Sequence, residues 1–374
     1  MAHDHRRRAL GLGALVFTVA LLAVACGSSK SNNAATGSTG GSGGGGGKIA
    51  LLLPETKTAR YETQDKPLFE AKVAELCSNC EVLYSNADQD AAKQQSQAEA
   101  ALTNGAKVLV LDPVDSASAA AIANKAKQQN VPVIAYDRLV KDAPITNYIS
   151  FDNEQVGKLQ GQALVDKLKA DGNASGKIVM INGSPTDNNA GQFKAGAHSV
   201  IDSSGVTVAA EFDTPDWSPD KAQSEMDQAI TNLGKDGFVG VYAANDGTAG
   251  GAIAAMKGVG VTPIPPITGQ DAELAGIQRV LSGEQYMTVY KAVKLEAEGA
   301  AALAVALVKG EDPPSGLVTT QVDNGQGSVP SVILTPVAVT KANVKDTVIK
   351  DGYWTAAQIC TSEFKAACTA AGIS

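Results

Sequence analysis

Histidine is nearly missing from this chain: His3, His5 and His198 are the three in 374 residues. The first two fall in an N-terminal segment that reads as cleaved, so a Ser–His or Cys–His nucleophile would depend on His198 alone, inside a predicted helix. No GxSxG elbow is present, and nucleophilic catalysis is disfavoured. None of the turns that follow predicted strands carries GxGxxG or GxxxxGK[ST], which removes the usual phosphate cradles. No DxDxDG-type loop offers calcium ligands, and no histidine lies near a cysteine pair to complete a zinc site. No cofactor and no metal are expected. The net charge is −8 and no basic run follows residue 8, so a nucleic-acid partner is not expected either. Aromatic residues make up 5% of the chain, which lends weight to each one placed near a polar turn.

The N-terminus carries a clear pattern. Arg6, Arg7 and Arg8 precede an apolar run from Leu10 to Ala25, and "LAVAC" closes it at Cys26. The run is short for a membrane span and has the charge order of a secretory signal, residues 1–25. "LAVAC" resembles a bacterial lipobox, whose cysteine is lipidated and becomes the mature N-terminus, although Ala23 stands where leucine is usual. The Gly/Ser/Asn-rich stretch up to residue 47 reads as a flexible tether with a root-mean-square reach of about 25 Å. An exported chain, lipid-anchored through Cys26 on the outer face of the cell membrane, is the expectation. Cys77, Cys80, Cys360 and Cys368 remain, and four cysteines in an exported chain suggest two disulfides with three possible pairings. Pairing of neighbours closes the shortest loops. "CSNC" follows a helical stretch and precedes a strand, which favours a staple over a redox centre.

From Lys48 onward, short β-like runs alternate with amphipathic stretches. "KIALLL" (48–53), "EVLYS" (81–85), "KVLVL" (107–111), "VPVIAY" (131–136) and "NYISF" (147–151) form a first series. "KIVMI" (177–181), "VTVAAEF" (206–212), "GFVGVYA" (237–243), "PPITG" (265–269) and "YMTVY" (286–290) form a second. Helical patterns over 65–77, 88–104 and 116–129 separate the first strands. Such alternation predicts an α/β fold of two doubly wound, Rossmann-like lobes. Ligands of open α/β sheets bind beyond the carboxyl ends of the strands. The residues there include Asp137 and Arg138, "GSPTDNN" (183–189), "DTPDW" (213–217), "NDGTAG" (245–250), "GQD" (269–271) and Lys291. Acids balance bases in this set, and a Trp and a Tyr accompany them. That mixture suits a neutral polyol: carboxylates accept from hydroxyls, Arg and Lys donate, Asn does both, and flat rings cover C–H faces.

The blocks "AYDRLV", "YISFDNEQVG", "GSPTDNNA", "ANDGTAGGAI", "TGQDAELAGI", "MTVYK" and "VPSVILTPVAVTKANVKDTVIKDGY" occur in this order. In them the chain resembles the bacterial periplasmic sugar-binding proteins that serve ABC transporters, its D-xylose-binding branch most, from about Lys48 to Tyr353. The resemblance implies a three-strand hinge with the ligand cleft between the lobes. Its crossings are expected near Phe151, near Gln270 and Asp271, and within residues 320–328. Residues 48–151 plus 272–320 would then form the N-terminal lobe, and 152–271 plus 321–345 the C-terminal lobe. Residues 346–374 would be a tail with its own disulfide. Carried over motif by motif, the sugar contacts would be Arg60, Tyr61, Asp137, Arg138, Asp187, Asn189, Trp217, Asn245, Asp271 and Lys291. Tyr61 stands where the xylose-binding branch has tryptophan and covers less area. Asn188 is left to the backbone, and Asp137, Asp187, Asn245 and Asp271 could equally be caps.

The implied function is non-enzymatic: capture of a monosaccharide, D-xylose favoured, and delivery to a membrane ABC permease by a monomer. Arabinose, ribose or glucose, and a sensory role, stay open. The rival is an exported carbohydrate-active enzyme using two of Asp137, Asp187 and Asp271. The neighbouring bases would keep such acids ionised, which disfavours a proton donor. A sugar-responsive repressor would need a helix-turn-helix where this chain has a lipobox.

Overall fold

The structure is a computed structural model, and it describes residues 46–373. The signal segment, Cys26 and all but the last two residues of the tether lie outside the described residues. β1 (Lys48–Leu53) shows why the apolar runs become central strands. Ile49, Leu51 and Leu53 face one core, while Ala50 and Leu52 face another on the opposite side of the sheet. A strand covered on both faces needs a continuous apolar run, not an alternating one. Around β1 lie β2 (Glu81–Asn86), β3 (Ala106–Leu111), β4 (Val133–Tyr136) and β5 (Asn147–Phe151). The helices α1 (Lys66–Leu76), α2 (Ala91–Thr103) and α3 (Ala120–Gln128) connect the first four strands.

The second unit repeats the logic. It is built from α4 (Asn153–Ala170), β6 (Lys177–Asn182), α5 (Asn188–Ile201), β7 (Thr207–Asp213), α6 (Pro219–Leu233), β8 (Gly240–Ala243), α7 (Asp246–Gly258), α8 (Leu274–Ser282) and β9 (Met287–Tyr290). On β6, Ile178 and Met180 enter one core while Val179 and Ile181 enter the other. β6 pairs in parallel with β7 and β8, and "PPITG" contributes only an isolated parallel bridge from Ile267 to Val241. The chain then continues through α9 (Val293–Lys309), β10 (Thr320–Asp323), β11 (Ser328–Leu334), β12 (Val337–Thr340), α10 (Ala356–Ile359) and α11 (Lys365–Ala370).

The pairing of the late strands departs from the expected division of the chain. The first sheet has seven strands in the order β10-β11-β5-β4-β3-β1-β2, and β11 runs parallel to β5. Residues 320–334 therefore belong with the N-terminal sheet. The Gly-rich stretch expected to cross between lobes is the turn of the β10–β11 hairpin: Asp323 pairs with Ser328, and Gly325 takes φ +93°. β9 in turn pairs with β12, and its Val289 N–H donates to Gly269 O, so residues 272–290 side with the second unit. The chain passes between the sheets after β9, near Lys291, and again between Leu334 and Val337.

The cysteines pair as neighbours, Cys77 with Cys80 and Cys360 with Cys368. The first bridge closes the turn after α1, and the second closes the loop that joins α10 to α11.

Candidate functional site

The carboxyl ends of the strands from both units converge on one cavity. Thr58, Tyr61, Asp137, Arg138, Asp187, Asn189, Phe193, Trp217, Asn245, Gln270, Asp271 and Lys291 line it. Nine of the ten expected contact residues are in this set; the tenth, Arg60, sits directly behind it. The free volume of the cavity in this closed arrangement is about 20 Å³, room for a water or so and far below the roughly 300–1,000 Å³ of drug-sized ligand pockets, so a larger occupant needs the walls to move apart.

The first-lobe side is built from buried ions. After β1 the chain makes a wide π-helical turn, Tyr61–Asp65, that turns Arg60 and Tyr61 inward. Arg60 donates Nε to Asp65 Oδ2 at 3.0 Å, and Nη2 to Asp65 Oδ1 and Glu296 Oε2, each at 2.7 Å. Its Nη1 has no hydrogen-bond partner in the protein and lies 3.8 Å from Asp137 Oδ1 and 3.9 Å from Asp271 Oδ1. Tyr136 also hydrogen-bonds Asp65. Arg138 has a matching bed: Glu55 Oε1 at 3.8 Å, Asp112 Oδ1 at 3.6 Å and Asp187 Oδ2 at 3.0 Å. Asp137 adopts φ +54°, a left-handed conformation that costs a non-glycine residue roughly 1–2 kcal/mol and persists where surrounding contacts enforce it. Tyr61 donates its hydroxyl to Asp137 Oδ2 at 2.8 Å.

These surroundings split the carboxyl groups. Burial works against the Asp137 carboxylate, but Arg60, Lys291 and Arg138 outweigh it and hold its pKa down to about 2. Burial dominates at Asp112 and lifts it well above the usual carboxylate range despite Arg138. Asp187 is also raised by burial, with Arg138, the Asn189 N–H and the Trp217 indole opposing. The bases thus outweigh burial at Asp137, whereas at Asp187 burial outweighs them. At Lys291 burial favours the neutral amine, yet Asp271 and Asp137 overcome it and raise the pKa.

The second-lobe side is built from backbone geometry. Asp187 caps α5: Oδ1 accepts the Asn189 N–H at 2.8 Å, while Oδ2 accepts the Trp217 indole N–H at 3.1 Å. It therefore serves as cap and cavity wall at once. A side chain at Gly183 would land inside the Trp217 ring, so the turn after β6 must be bare there. Asp216 and Trp217 have φ +60° and +52°, a turn that swings the indole toward the edge of Phe193, with ring centroids 6.3 Å apart. Asn245 caps α7 in a reciprocal pair with Thr248, its Oδ1 accepting the Thr248 N–H at 2.8 Å. Asn188 donates its backbone N–H to Ser116 Oγ at 3.2 Å, a contact between the lobes at the cavity rim.

Other bonds also span the two sides. Asn189 Nδ2 donates to Asp137 O at 3.0 Å, Gln89 Nε2 to Asp216 O at 3.3 Å, and the Ala59 N–H to Glu273 Oε1 at 3.3 Å. The cavity is thus closed by both lobes together. Within it Asp137 Oδ1, Asn189 Oδ1 and Gln270 Oε1 are buried without a hydrogen-bond partner in the protein, while Asp271 Oδ1 is ion-paired with Lys291 Nζ at 3.1 Å. Leaving such an atom unmet costs about 1–3 kcal/mol, so three around one small space are acceptors open to a donor.

Thr58, Phe193 and Gln270 were not expected. Thr58 and Gln270 sit beside expected residues and carry no charge to single them out, while Phe193 reads as helix core. His198 lies on α5 away from the cavity, between Asp202 (Nδ1–Oδ1 2.9 Å) and Glu211 (Nε2–Oε1 3.1 Å), as a surface residue would. A wider depression beside Pro263 to Pro266, Tyr286 and Lys341 has no buried unpartnered polar atom in its lining.

Residues 49–312 match the sequence model of a family described as "periplasmic binding protein domain". The D-xylose-binding periplasmic protein of Escherichia coli K12 is 40% identical over 310 residues, covering 82% of this chain and 90% of that protein. The D-xylose-binding periplasmic protein of Haemophilus influenzae is 37% identical, covering 82% and 90%. A solved ABC transporter solute-binding protein from Clostridium phytofermentans, with bound β-D-glucose, matches at TM-score 0.76 and 31% identity. That match covers 83% of this chain and 99% of the other.

Proposed function

The chain belongs to the periplasmic binding protein family, and we propose that within it this protein captures D-xylose between its lobes and delivers it to a membrane ABC permease without chemical turnover. The observation that carries the reading is the set of three buried oxygens without a hydrogen bond, on Asp137, Asn189 and Gln270, around one closed cavity walled by both lobes, with two arginines and a lysine braced beside them. Asp137, Asp271 and Asn189 would accept from sugar hydroxyls; Arg60 Nη1, Arg138, Lys291 and Asn245 would donate. Trp217, Phe193 and Tyr61 would cover the weakly apolar C–H faces. Because the contacts come from both lobes, ligand energy stabilises the closed form, and that form is what a permease would recognise. Export and a lipid anchor at Cys26 would hold the protein at the membrane surface where the permease sits.

Titration calorimetry tests this directly. Saturable heat with D-xylose and no product after long incubation is the expected result. Heat with D-glucose or L-arabinose but none with D-xylose would replace the sugar and keep the class; D-glucose is the second choice, given the glucose-bound relative at 31% identity. Release of xylose from a xylosyl substrate would overturn the non-enzymatic reading in favour of a carbohydrate-active enzyme.

A further inference from the structure

The C-terminal tail, outside the matched residues 49–312, reaches back to the proposed sugar site. Asp271 and Ala272 are consecutive non-glycine residues in the left-handed region, φ +85° and +48°. A pair of this kind is unfavourable and stays in place only if its surroundings over-determine it. All four of its backbone polar groups are fixed. The Asp271 N–H donates to Val289 O at 2.9 Å and the Ala272 N–H to Thr288 Oγ1 at 3.2 Å, both on β9. The two carbonyls are held from the tail: the Tyr353 hydroxyl donates to Asp271 O at 3.2 Å, and the Trp354 indole to Ala272 O at 2.8 Å.

The tail is itself firmly seated. Tyr353 packs edge-on against Tyr290, the residue before Lys291, at 5.2 Å between centroids, and Trp354 packs against Tyr353 at 5.4 Å. Ile359, Cys368 and Ile373 share an apolar cluster with Ile277, Val280 and Leu281 of α8. Gln278 donates to Ile359 O at 3.2 Å, and the Cys360–Cys368 bridge closes the loop behind it. The tail also touches the first lobe: Gln64, in the turn that presents Tyr61, donates Nε2 to Tyr353 O at 3.2 Å.

We infer that Tyr353 and Trp354 are positioning residues for the sugar, holding the Asp271 carboxylate in the cavity through the two carbonyls of a strained pair and tying that pair to the first lobe through Gln64. Asp271 meets Lys291 Nζ at 3.1 Å in this arrangement. Release of the pair to an ordinary backbone conformation would turn the carboxylate away. The inference rests on the sugar-binding reading above and adds that the tail sets affinity.

The test uses the full chain and D-xylose calorimetry on wild type, Trp354→Phe and Tyr353→Phe. Tyr353→Phe keeps its ring and Trp354→Phe keeps a smaller aromatic ring, and each loses one donor, so Kd should rise about fivefold in each, the worth of roughly 1 kcal/mol. In an Asp271→Asn background, Trp354→Phe should shift Kd by less than about twofold, since the carboxylate it positions is gone. A merely structural tail would lower the melting temperature of the ligand-free variants and leave Kd unchanged, and that result overturns the inference. If Trp354→Phe does not fold, Tyr353→Phe, which lacks only a hydroxyl, decides alone. A wild type that binds no monosaccharide overturns the sugar reading and this inference with it. A wild type that binds, with both variants unaffected, overturns the tail's role only.

Discussion

The two walls of the cavity hold their polar groups by different means. On the first-lobe side Arg60 and Arg138 are at most 2% exposed and held by carboxylates: Asp65 and Glu296 behind one, Glu55 and Asp112 behind the other. On the second-lobe side most positioning groups are backbone: Asp187 and Asn245 cap helices, and Asp216 and Trp217 occupy a left-handed turn. An ionic bed is rigid but unforgiving, because removing one member strands the others in low dielectric. A cap or a turn can lose one side chain and leave its neighbours solvated or bonded. The first wall should therefore fail as a fold, and the second as a binding surface.

Arg60→Ala breaks the first wall most sharply. Asp65 and Glu296 would remain buried without their partner, and the expected loss is about 3–5 kcal/mol of unfolding free energy, read by urea denaturation without ligand. A variant with wild-type stability would mean that the two acids simply protonate at no cost, and the contrast between the walls would dissolve. Asn189→Ala is the matching cut on the second wall. It removes one bond to Asp137 O and one free acceptor. Ligand-free stability should fall by no more than about 1 kcal/mol, while D-xylose affinity falls by about 2 kcal/mol, some 30-fold. Equal losses in both measurements would show that the second wall is as structural as the first.

The same contrast governs how much could be read from the sequence. The cavity lies where the strand-end rule puts it, and the acids, amides and Trp217 stand out because a polar residue directly after an apolar strand is rare without a role. The apolar runs of β1 and β6 announce strands covered on both faces. What the sequence hid was partnership at a distance. Glu296 looks like an ordinary charge on α9, and only the fold brings it to Arg60, 236 residues away. Phe193 has the helical spacing of a core residue and is one, yet it also lines the cavity. The Gly-rich stretch before β11 suggested a crossing between lobes, since a tight hairpin and a hinge both call for glycine. Register decided between them: Ser331 to Leu334 have partners on β5. The tail offered only its cysteines and aromatics, and their meeting with Asp271 and Ala272 depends on strands far upstream.

The smallest expected effect is a difference in how the two sides respond to pH. Asp137, on the first wall, has its pKa lowered to about 2. A lowered carboxylate contributes stability that is present above its unfolded pKa of about 3.9 and lost as pH falls through the folded value. It leaves the neutral range flat. Glu273, which meets the Ala59 N–H across the lobes, goes the other way. Burial first, then Asp246 and Asp271, push it up to about 8, against that N–H and Arg279. Asp246 is lifted to about 7, chiefly by burial, with Arg279, Gln285 and Thr288 opposing. A raised carboxyl contributes stability that is full below its unfolded pKa and lost as pH rises through the folded one. Between pH 5 and 9 the wild type should therefore lose stability steadily, and Glu273→Gln, which cannot ionise, should lose it with a shallower slope. Urea midpoints at pH 5, 7 and 9 measure both slopes. Parallel curves for the two proteins would remove Glu273 as the source, and a rise in stability toward pH 9 would reverse the sign assigned to the second-lobe acids.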